Sequence, residues 1–290
     1  MKPSFAIVGC GKVGTALGVF LARAGYRAVG FTSRSLSSAK QAAKLVRSDR
    51  YSDVPWEVTR DADVVIITTP DGAIKETCDR LSQHNGIADN TIVLHCSGAL
   101  PSTVLSVAKK RGVFTGSMHP LQSFAAIDVD VNPFAGIIIS VEGERQAVET
   151  AGELAADLGG TCVTIDTASK TLYHASAVTA SNYLVTLLDL ALRLIREAGI
   201  PEQDAFKALK PLIEGTLSNI EKVGVIQALT GPIVRGDVET VEKHIEEIEL
   251  RVPELLALYK TLGSCTVDIA TKRGTISRTC AETLKKITSP

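Results

Sequence analysis

The sequence predicts an α/β domain built on a mostly parallel, doubly wound sheet, followed by an all-α domain. In the first half of the chain, short β-branched runs alternate with helical stretches, which is typical of a parallel sheet covered by helices on both faces. After Asp166 the strand-like runs stop, and amphipathic helical stretches continue to the end. The predicted domains are therefore residues 1–166 and residues 167–290.

The predicted strands are short apolar runs bounded by turn residues. They are Phe5–Val8, Ala28–Phe31, Val64–Thr68, Ile92–His95, Val113–Ser117, Ile137–Val141 and Cys162–Ile165. The first helix is expected over Val13–Ala24, and Gly25 is expected to end it in a left-handed conformation.

The second half predicts several helices, one of them unusually long. Residues Ala168–Ala198 keep helical periodicity for about 30 residues, or roughly 45 Å at 1.5 Å per residue. A small domain does not need such length, so this helix is expected to span the space between domains or between subunits. Pro201 is expected to open the next helix, and Asp237 and Pro253 to begin two more.

Composition and charge favour a globular protein with a small-molecule ligand. The 290 residues include 31 basic and 32 acidic side chains, so no net field attracts nucleic acid or an anionic membrane. The first strand starts at Phe5 and leaves no room for a signal peptide, which predicts a cytoplasmic protein. The stretch Tyr183–Ile195 contains Asp189 and Arg193 and is shorter than the roughly 20 residues of a membrane span, so a buried helix is expected.

The cysteines predict neither a disulfide framework nor a metal site. They show no Cys-x-x-Cys pair and no His/Cys cluster at metal-ligand spacing. In a reducing cytosol they are expected to be free thiols, with Cys10 and Cys96 acting as small fillers.

The strongest local motif is Gly9-Cys10-Gly11-Lys12-Val13-Gly14, between the first strand and the first helix. The first glycine allows a tight turn, the second lets the backbone approach a pyrophosphate, and the third permits close helix packing. A pyrophosphate at this helix N-terminus would accept hydrogen bonds from free N–H groups. Although a glycine-rich turn without a ligand is the alternative, the surrounding strand and helix favour a dinucleotide held by Gly9, Gly11, Lys12, Val13 and Gly14.

The end of the second strand favours NADP over NAD. An NAD enzyme usually carries an acidic residue there for the ribose hydroxyls, whereas this chain has Thr32-Ser33-Arg34-Ser35. Arg34 can form paired hydrogen bonds to a 2'-phosphate, and Ser33 and Ser35 can donate to it as well. The alternative for Arg34 is an ordinary solvated surface charge.

Three later loops are expected at the same crevice, because ligands of open α/β sheets bind outside the carboxyl ends of the strands. Thr69 and Pro70 are predicted to contact the cofactor, and Ser97, Gly98 and His119 to contact the substrate. For His119 two roles stay open, a hydrogen bond to a substrate carboxylate or the capping of a strand end. A structural role is preferred for His95, which ends a buried strand.

With these motifs the sequence resembles the superfamily of 6-phosphogluconate, β-hydroxyacid, pyrroline-5-carboxylate and prephenate dehydrogenases, which pair a Rossmann domain with a helical C-terminal domain. Within it, the chain resembles a group that joins a Rossmann-like domain to a helical domain of unknown function. The motifs that carry this resemblance are Ser97-Gly98, His119–Phe124, the stretch around His174 and Ser181-Asn182-Tyr183, Leu229–Pro232, and Arg235-Gly236-Asp237.

Departures from the known enzymes limit what the resemblance implies. β-Hydroxyacid dehydrogenases place a catalytic Lys and, four residues later, an Asn on the first helix of the second domain; here Lys170 is followed by His174. The residues after Pro232 differ from the glycine-rich run of pyrroline-5-carboxylate reductases, which argues against proline synthesis. His119-Pro120 resembles the His-Pro pair of prephenate dehydrogenases, although the following residues differ.

Lys170 and His174 are the predicted catalytic residues. Hydride reduction of a carbonyl or imine requires an acid near the oxygen or nitrogen. At spacing i, i+4 the two side chains share a helix face, and Ser181 returns close to that face. Ser181 and Asn182 are therefore predicted to bind substrate. The alternatives are a solvated surface charge for Lys170 and an interface histidine for His174.

The turn before Asp237 contains a further predicted substrate-binding residue, Arg235. It is expected to face an anionic ligand or the domain cleft, or else to pair with a carboxylate in a structural turn. Asp237 is expected to serve as a helix N-cap.

Together these features predict an NADP-dependent oxidoreductase acting on a small carboxylate-bearing hydroxy/oxo or amino/imino metabolite. A prephenate dehydrogenase-like enzyme and a non-catalytic dinucleotide sensor are the alternatives. Neither a nucleic acid nor a membrane is an expected partner. The long apolar helix predicts a homodimer through the C-terminal helices. The substrate and the direction of hydride transfer stay open.

Overall fold

The computed structural model describes residues 2–124 and 128–290, without the side chains of residues 110 and 111. An eight-stranded sheet has the strand order β3-β2-β1-β4-β5-β6-β7-β8. Only β7 runs antiparallel to its neighbour β6, while all other pairs are parallel. The strands are β1 (Phe5–Val8), β2 (Ala28–Thr32), β3 (Tyr51–Ser52), β4 (Val64–Ile67), β5 (Ile92–His95), β6 (Phe114–Pro120), β7 (Ile138–Gly143) and β8 (Thr161–Thr164).

The strand order confirms the predicted doubly wound sheet. The chain leaves β1 towards β2 on one side and returns to β4 on the other, so a crevice opens at the carboxyl ends of β1 and β4. All the predicted strands are present, with ends shifted by up to three residues. The short strand β3 was not predicted, because two residues cannot display a hydrophobic period.

Helices of the first unit cover both faces of the sheet. Along β1, Phe5 and Ile7 belong to one buried cluster, and Ala6 and Val8 belong to the other. Burial on both faces explains why these strands are continuous apolar runs rather than alternating ones. The helices are α1 (Lys12–Arg23), α2 (Leu36–Leu45), α3 (Trp56–Thr59), α4 (Asp71–Gln83) and α5 (Arg145–Asp157), with a 3-10 segment over Ser102–Arg111. Gly25 follows α1 at a φ of +90°, as predicted.

The rest of the chain is helical, which confirms the predicted all-α region. Its helices are α6 (Lys170–Glu197), α7 (Glu202–Ala228), α8 (Pro232–Arg235), α9 (Val238–Arg251), α10 (Leu256–Arg273) and α11 (Arg278–Ile287). Asp237 caps α9 by accepting a hydrogen bond from the Thr240 N–H at 3.1 Å, as expected. Pro253 begins a 3-10 turn that leads into α10. α7 contains a kink at Gly224, where φ is +76°.

The long helix α6 is present, but the prediction that Tyr183–Ile195 is buried is wrong for the described chain. Only Leu190 in that stretch is buried, whereas Tyr183 is 62% exposed and Val185 is 68% exposed. By length and composition alone Thr167–Glu197 would suffice to cross a membrane, with 6% of its most apolar window buried. The charged Asp189 and Arg193 lie within the same helix.

By compactness the described chain divides into a first unit that ends at Ser181 and a second unit, Asn182–Pro290. The sheet ends before Asp166, where the sequence predicted the domain boundary, and the first unit includes the beginning of α6. Within the second unit, Leu190, Ile248, Val252 and Leu255 form one buried cluster. Val241, Val267 and Leu284 form another.

Candidate active site

The glycine loop has the geometry of a phosphate cradle. Gly9 adopts a φ of +109°, and a Cβ there would lie 2.8 Å from the Thr69 backbone nitrogen. A Cβ on Gly14 would overlap the Gly9 carbonyl oxygen, so helix and loop are in close contact. By contrast, no described atom lies within 4 Å of a Cβ built on Gly11, so the backbone is open there to a ligand. No side chain caps the N-terminus of α1 at Gly11, which leaves the first N–H groups available.

The residues after β2 lie at the surface, where the adenosine end of a dinucleotide would bind. Arg34 is exposed, and among the described residues no carboxylate lies within 4 Å of its guanidinium. Ser35 precedes α2 without capping it through its side chain, and its Oγ lies 2.7 Å from Ser37 Oγ. Ser33 is half-buried between these residues and the end of the strand.

The loop after β4 closes the other side of this crevice. The Thr68 hydroxyl donates to the Gly9 carbonyl and so ties the loop to the glycine motif. The Thr69 hydroxyl is buried and has no hydrogen-bond partner among the described residues. Pro70 precedes α4, whose N-terminus also lacks a side-chain cap. A buried, unsatisfied hydroxyl beside an open glycine backbone fits a polar ligand at this edge.

Ser97 lies in a tight turn after β5 and stabilises that turn. Its hydroxyl oxygen accepts hydrogen bonds from the N–H groups of Ala99 at 3.1 Å and Leu100 at 2.9 Å. The Ser97 N–H in turn donates to Nδ1 of the fully buried His95 at 3.1 Å. Burial lowers the pKa of His95 to about 4, and the charge of Lys170 acts in the same direction. These contacts agree with the structural role preferred for His95.

Gly98 brings two imidazoles together. A Cβ on Gly98 would lie 2.5 Å from His174 Nδ1 and 2.8 Å from His119 Nε2, so only glycine leaves both rings in place. The ring centroids of His119 and His174 are 6.1 Å apart at an interplanar angle of 80°. His174 Nδ1 is buried and has no hydrogen-bond partner among the described residues. The predicted residues Gly98, His119 and His174 therefore form one cluster in the first unit.

Tyr173 is a member of this cluster that sequence reasoning missed. Its hydroxyl lies 3.1 Å from His119 Nδ1, and the two rings meet edge to face with centroids 5.7 Å apart. The sequence pattern indicated only the next residue, His174, because a tyrosine in an apolar helix usually packs as a hydrophobic side chain.

Lys170 is buried, so the alternative of a solvated surface charge is wrong. Its ammonium contacts the Ser117 hydroxyl and lies 3.1 Å from Glu142 Oε1, and both side chains are 1% exposed. Glu142 also accepts hydrogen bonds from the Ser102 N–H at 2.9 Å, the Ser102 hydroxyl at 2.7 Å and the Thr167 hydroxyl at 2.9 Å. Sequence reasoning missed Glu142, because a lone acidic residue near the end of a strand carries no pattern.

The buried pair shapes the electrostatics of the cluster. Burial raises the pKa of Glu142, but hydrogen bonds from Ser102 and the Lys170 charge outweigh burial and hold this pKa below its ordinary value. Burial lowers the pKa of Lys170, and Glu142 opposes that shift. Burial also lowers the pKa of His119 to about 4, with further lowering by Lys170 and His174. His119 is thus neutral at pH 7.

The two cysteines near the crevice behave as the predicted fillers. Burial raises the pKa of Cys10 to about 12. Burial likewise raises the pKa of Cys96 to about 12, although the Lys170 charge opposes this. Both thiols therefore stay protonated at neutral pH and are poor nucleophiles. All six cysteines are free, as expected.

Among the described residues, no group of three or more His, Cys, Asp or Glu side chains could hold a metal ion.

The other predicted substrate-binding residues on α6 and α8 are Ser181, Asn182 and Arg235. Ser181 is exposed and is the last residue of the first unit, whereas Lys170 is buried, and the role of Ser181 in substrate binding stays a prediction. Asn182 and Arg235 belong to the second unit, and both are exposed there. Arg235 has no carboxylate within 4 Å among the described residues. Hydrogen bonds from Thr240 lower the pKa of Asp237, and the charge of Arg235 adds a smaller effect in the same direction.

Comparison with known proteins identifies the two parts of the chain. A model of the Rossmann-like domain matches residues 2–120. A model of the domain of unknown function DUF2520 matches residues 137–266. The chain combines a Rossmann-like domain with a DUF2520 domain. This combination confirms the predicted resemblance. The DUF2520 match begins at β7, within the sheet.

Solved structures share this architecture. A candidate NADP oxidoreductase of Bacteroides fragilis is 25% identical, with a TM-score of 0.73 over 90% of this chain and 96% of its own. A Thermotoga maritima protein is 26% identical, with a TM-score of 0.72 over 93% of this chain and 99% of its own. A reductive aminase of Aspergillus terreus, in complex with NADPH, shares the fold at 16% identity and a TM-score of 0.61 over 99% and 92% of the two chains. No curated protein matches the chain.

Proposed function

We propose that this chain is an NADP-dependent oxidoreductase that acts on a small carboxylate-bearing hydroxy/oxo or amino/imino metabolite. The observation that carries the proposal is that an open phosphate cradle at Gly11, after β1, and the His119–His174 cluster at Gly98, after β5, lie at the same edge of one sheet, with β4 between these two strands. Both lie at the carboxyl ends of their strands, where α/β enzymes bind ligands. The similarity to oxidoreductase structures supports the same class of reaction.

The residues present fit a dinucleotide. The uncapped N-terminus of α1 would hold the pyrophosphate through the N–H groups of Lys12 and Val13, and Thr69 has a hydroxyl free to bond to it. Arg34, Ser33 and Ser35 would bind the 2'-phosphate. A bound nicotinamide supplies the hydride donor or acceptor. The protein's task is then to bind the substrate and to move a proton.

The two imidazoles suit that task. Neutral His119 can donate a hydrogen bond through one ring nitrogen and accept one through the other. His174 Nδ1 has no hydrogen-bond partner in the part of the chain that the structure describes, and it can take the proton of a substrate hydroxyl or amine during oxidation, then return it during reduction. We assign Lys170 a positioning role, because its ammonium is already held by Glu142 and Ser117.

The function is tested by turnover with a panel of small oxo, hydroxy, imino and amino acids. We expect NADPH or NADP turnover with at least one member, and a loss of about 100-fold or more in His174→Ala. His244→Ala, a histidine of the second unit, is the control and should keep wild-type turnover. Turnover with prephenate alone would favour the prephenate dehydrogenase-like alternative. Nucleotide binding without turnover across the panel would instead favour the dinucleotide sensor.

Arg34→Ala tests the choice of cofactor. We expect NADPH affinity, measured by titration calorimetry, to fall by about tenfold to 100-fold, because a charge-assisted contact to the 2'-phosphate is lost. NADH affinity should change little. Arg278→Ala removes an exposed arginine of the second unit and serves as the control. Equal losses of affinity for both nucleotides would contradict the role of Arg34, and binding of neither nucleotide by the wild type would contradict the proposed function.

A homodimer through the C-terminal helices is proposed on the exposure of their apolar side chains. On α6 and α7 these include Leu172, Tyr183, Val185, Phe206, Leu212, Leu217, Val223 and Val225, each more than half exposed. Patches of this kind usually mark an interface. Sedimentation equilibrium at micromolar concentration should give twice the monomer mass of 30.7 kDa, and a monomer would contradict the proposal.

A further inference from the structure

Tyr173 contacts the candidate site, yet the proposed proton transfer does not use it. Its hydroxyl lies 3.1 Å from His119 Nδ1, on the side of the ring opposite to the nitrogen that approaches Gly98. The edge-to-face packing of the two rings, with an interplanar angle of 89°, fixes the orientation of His119. One ring nitrogen of His119 therefore lies next to Tyr173 and the other next to Gly98.

The chemistry of the two groups sets the direction of this hydrogen bond. Burial lowers the pKa of His119 to about 4, so at pH 7 the ring has one N–H and one lone pair. Burial raises the pKa of Tyr173 and outweighs the opposite effect of a hydrogen bond with Ser140, so the phenol keeps its proton. A phenol is a good donor, and an imidazole lone pair is a better acceptor than a phenolic oxygen. This chemistry favours donation from the Tyr173 O–H to Nδ1, which would place the ring proton on Nε2.

The charged and titratable groups around His119 favour the neutral ring that this arrangement requires. Lys170 and His174 are the groups that act on its ring from α6, and both disfavour a second proton. The Lys170 charge is held in place by Glu142 of β7 at 3.1 Å. A neutral ring has only one N–H, so whichever nitrogen Tyr173 does not occupy must carry it.

We propose that Tyr173 is a positioning residue whose hydroxyl holds the proton of His119 on Nε2, the nitrogen that lies towards Gly98, and that the reacting group of the substrate binds at this nitrogen. The location of the substrate rests on the proposed function, whereas the tautomer does not. His119 Nε2–H then donates to a substrate oxygen or nitrogen while His174 Nδ1 accepts a proton from it. This pairing suits a secondary alcohol or amine, which offers one lone pair and one proton to the two rings.

The tautomer of His119 can be measured directly in the full-length chain. The chain has only five histidines, so long-range ¹H–¹⁵N correlation spectra of the labelled protein at pH 7 resolve each ring, and His119→Gln assigns the signal. We expect His119 to be neutral with its proton on Nε2. A wild-type ring that carries the proton on Nδ1 overturns the proposal without need of any variant.

The variant Tyr173→Phe tests the cause of this preference. We expect the His119 signals to shift towards a mixture of the two tautomers. We also expect kcat to fall by about tenfold while KM stays nearly unchanged, because one hydrogen bond is lost. Tyr183→Phe, at an exposed site on the same helix, is the control and should leave both unchanged. An unaltered tautomer in a folded Tyr173→Phe protein overturns the positioning role. NADPH titration is a separate test, since absent nucleotide binding would contradict the proposed function and leave the tautomer result intact.

Discussion

Replacing Lys170 with Met is expected to lower the free energy of unfolding by about 3–5 kcal/mol. The change leaves the Glu142 carboxylate buried without its counter-ion, and removing one partner of a buried pair has an effect of this size. The hydrogen bonds from Ser102 and Thr167 stay in place, but they do not supply a positive charge. Urea unfolding at pH 7, followed by circular dichroism, measures the loss.

Two further variants separate the buried charge from other effects of the substitution. Lys210→Met changes a solvent-exposed lysine of α7 that pairs with Glu214, and should alter the free energy of unfolding by less than about 1 kcal/mol. The double variant Lys170→Met with Glu142→Gln should be more stable than Lys170→Met alone, because no unpaired carboxylate then lies in the interior. A double variant that is no more stable than the single one would contradict the pairing. Turnover of the double variant also shows whether Lys170 has a role in proton transfer.

Gly98→Ala is expected to abolish most turnover while leaving NADPH affinity unchanged. The added Cβ would lie 2.5 Å from His174 Nδ1 and 2.8 Å from His119 Nε2, so at least one imidazole must move. A displacement of about 1 Å in a reacting group commonly lowers the rate by about 100-fold, which is the loss of kcat/KM we expect. The glycine loop that would bind the pyrophosphate is untouched, so the nucleotide should still bind.

The comparison variant is Gly215→Ala in α7, where no described atom lies within 4 Å of the new Cβ. It should keep wild-type turnover and gain slightly in stability, because alanine favours a helix over glycine. Wild-type turnover in a folded Gly98→Ala protein would mean that the two histidines do not form the reaction centre.

Much of the fold could be predicted from the sequence, because its signals are local. A strand buried on both faces appears as a run such as Val64–Ile67, and the glycine loop follows β1 directly. The N-cap at Asp237 was predictable for the same reason, since cap and helix adjoin in the chain. The burial of α6 was predicted wrongly. An apolar stretch indicates that a helix face has to be covered, but it does not indicate which other surface covers that face.

The sequence by itself thus determined the parallel sheet, the glycine loop and the helical second half, all of which follow from periodicity and turn residues within short windows. Only the tertiary structure decided that Lys170 turns towards Glu142, 28 residues earlier in the chain, and that Tyr173 meets His119 across 54 residues. The physical reason is that a side chain's pKa, burial and hydrogen-bond partner depend on which distant strands the fold brings beside it. At this site those neighbours come from β6, β7 and α6.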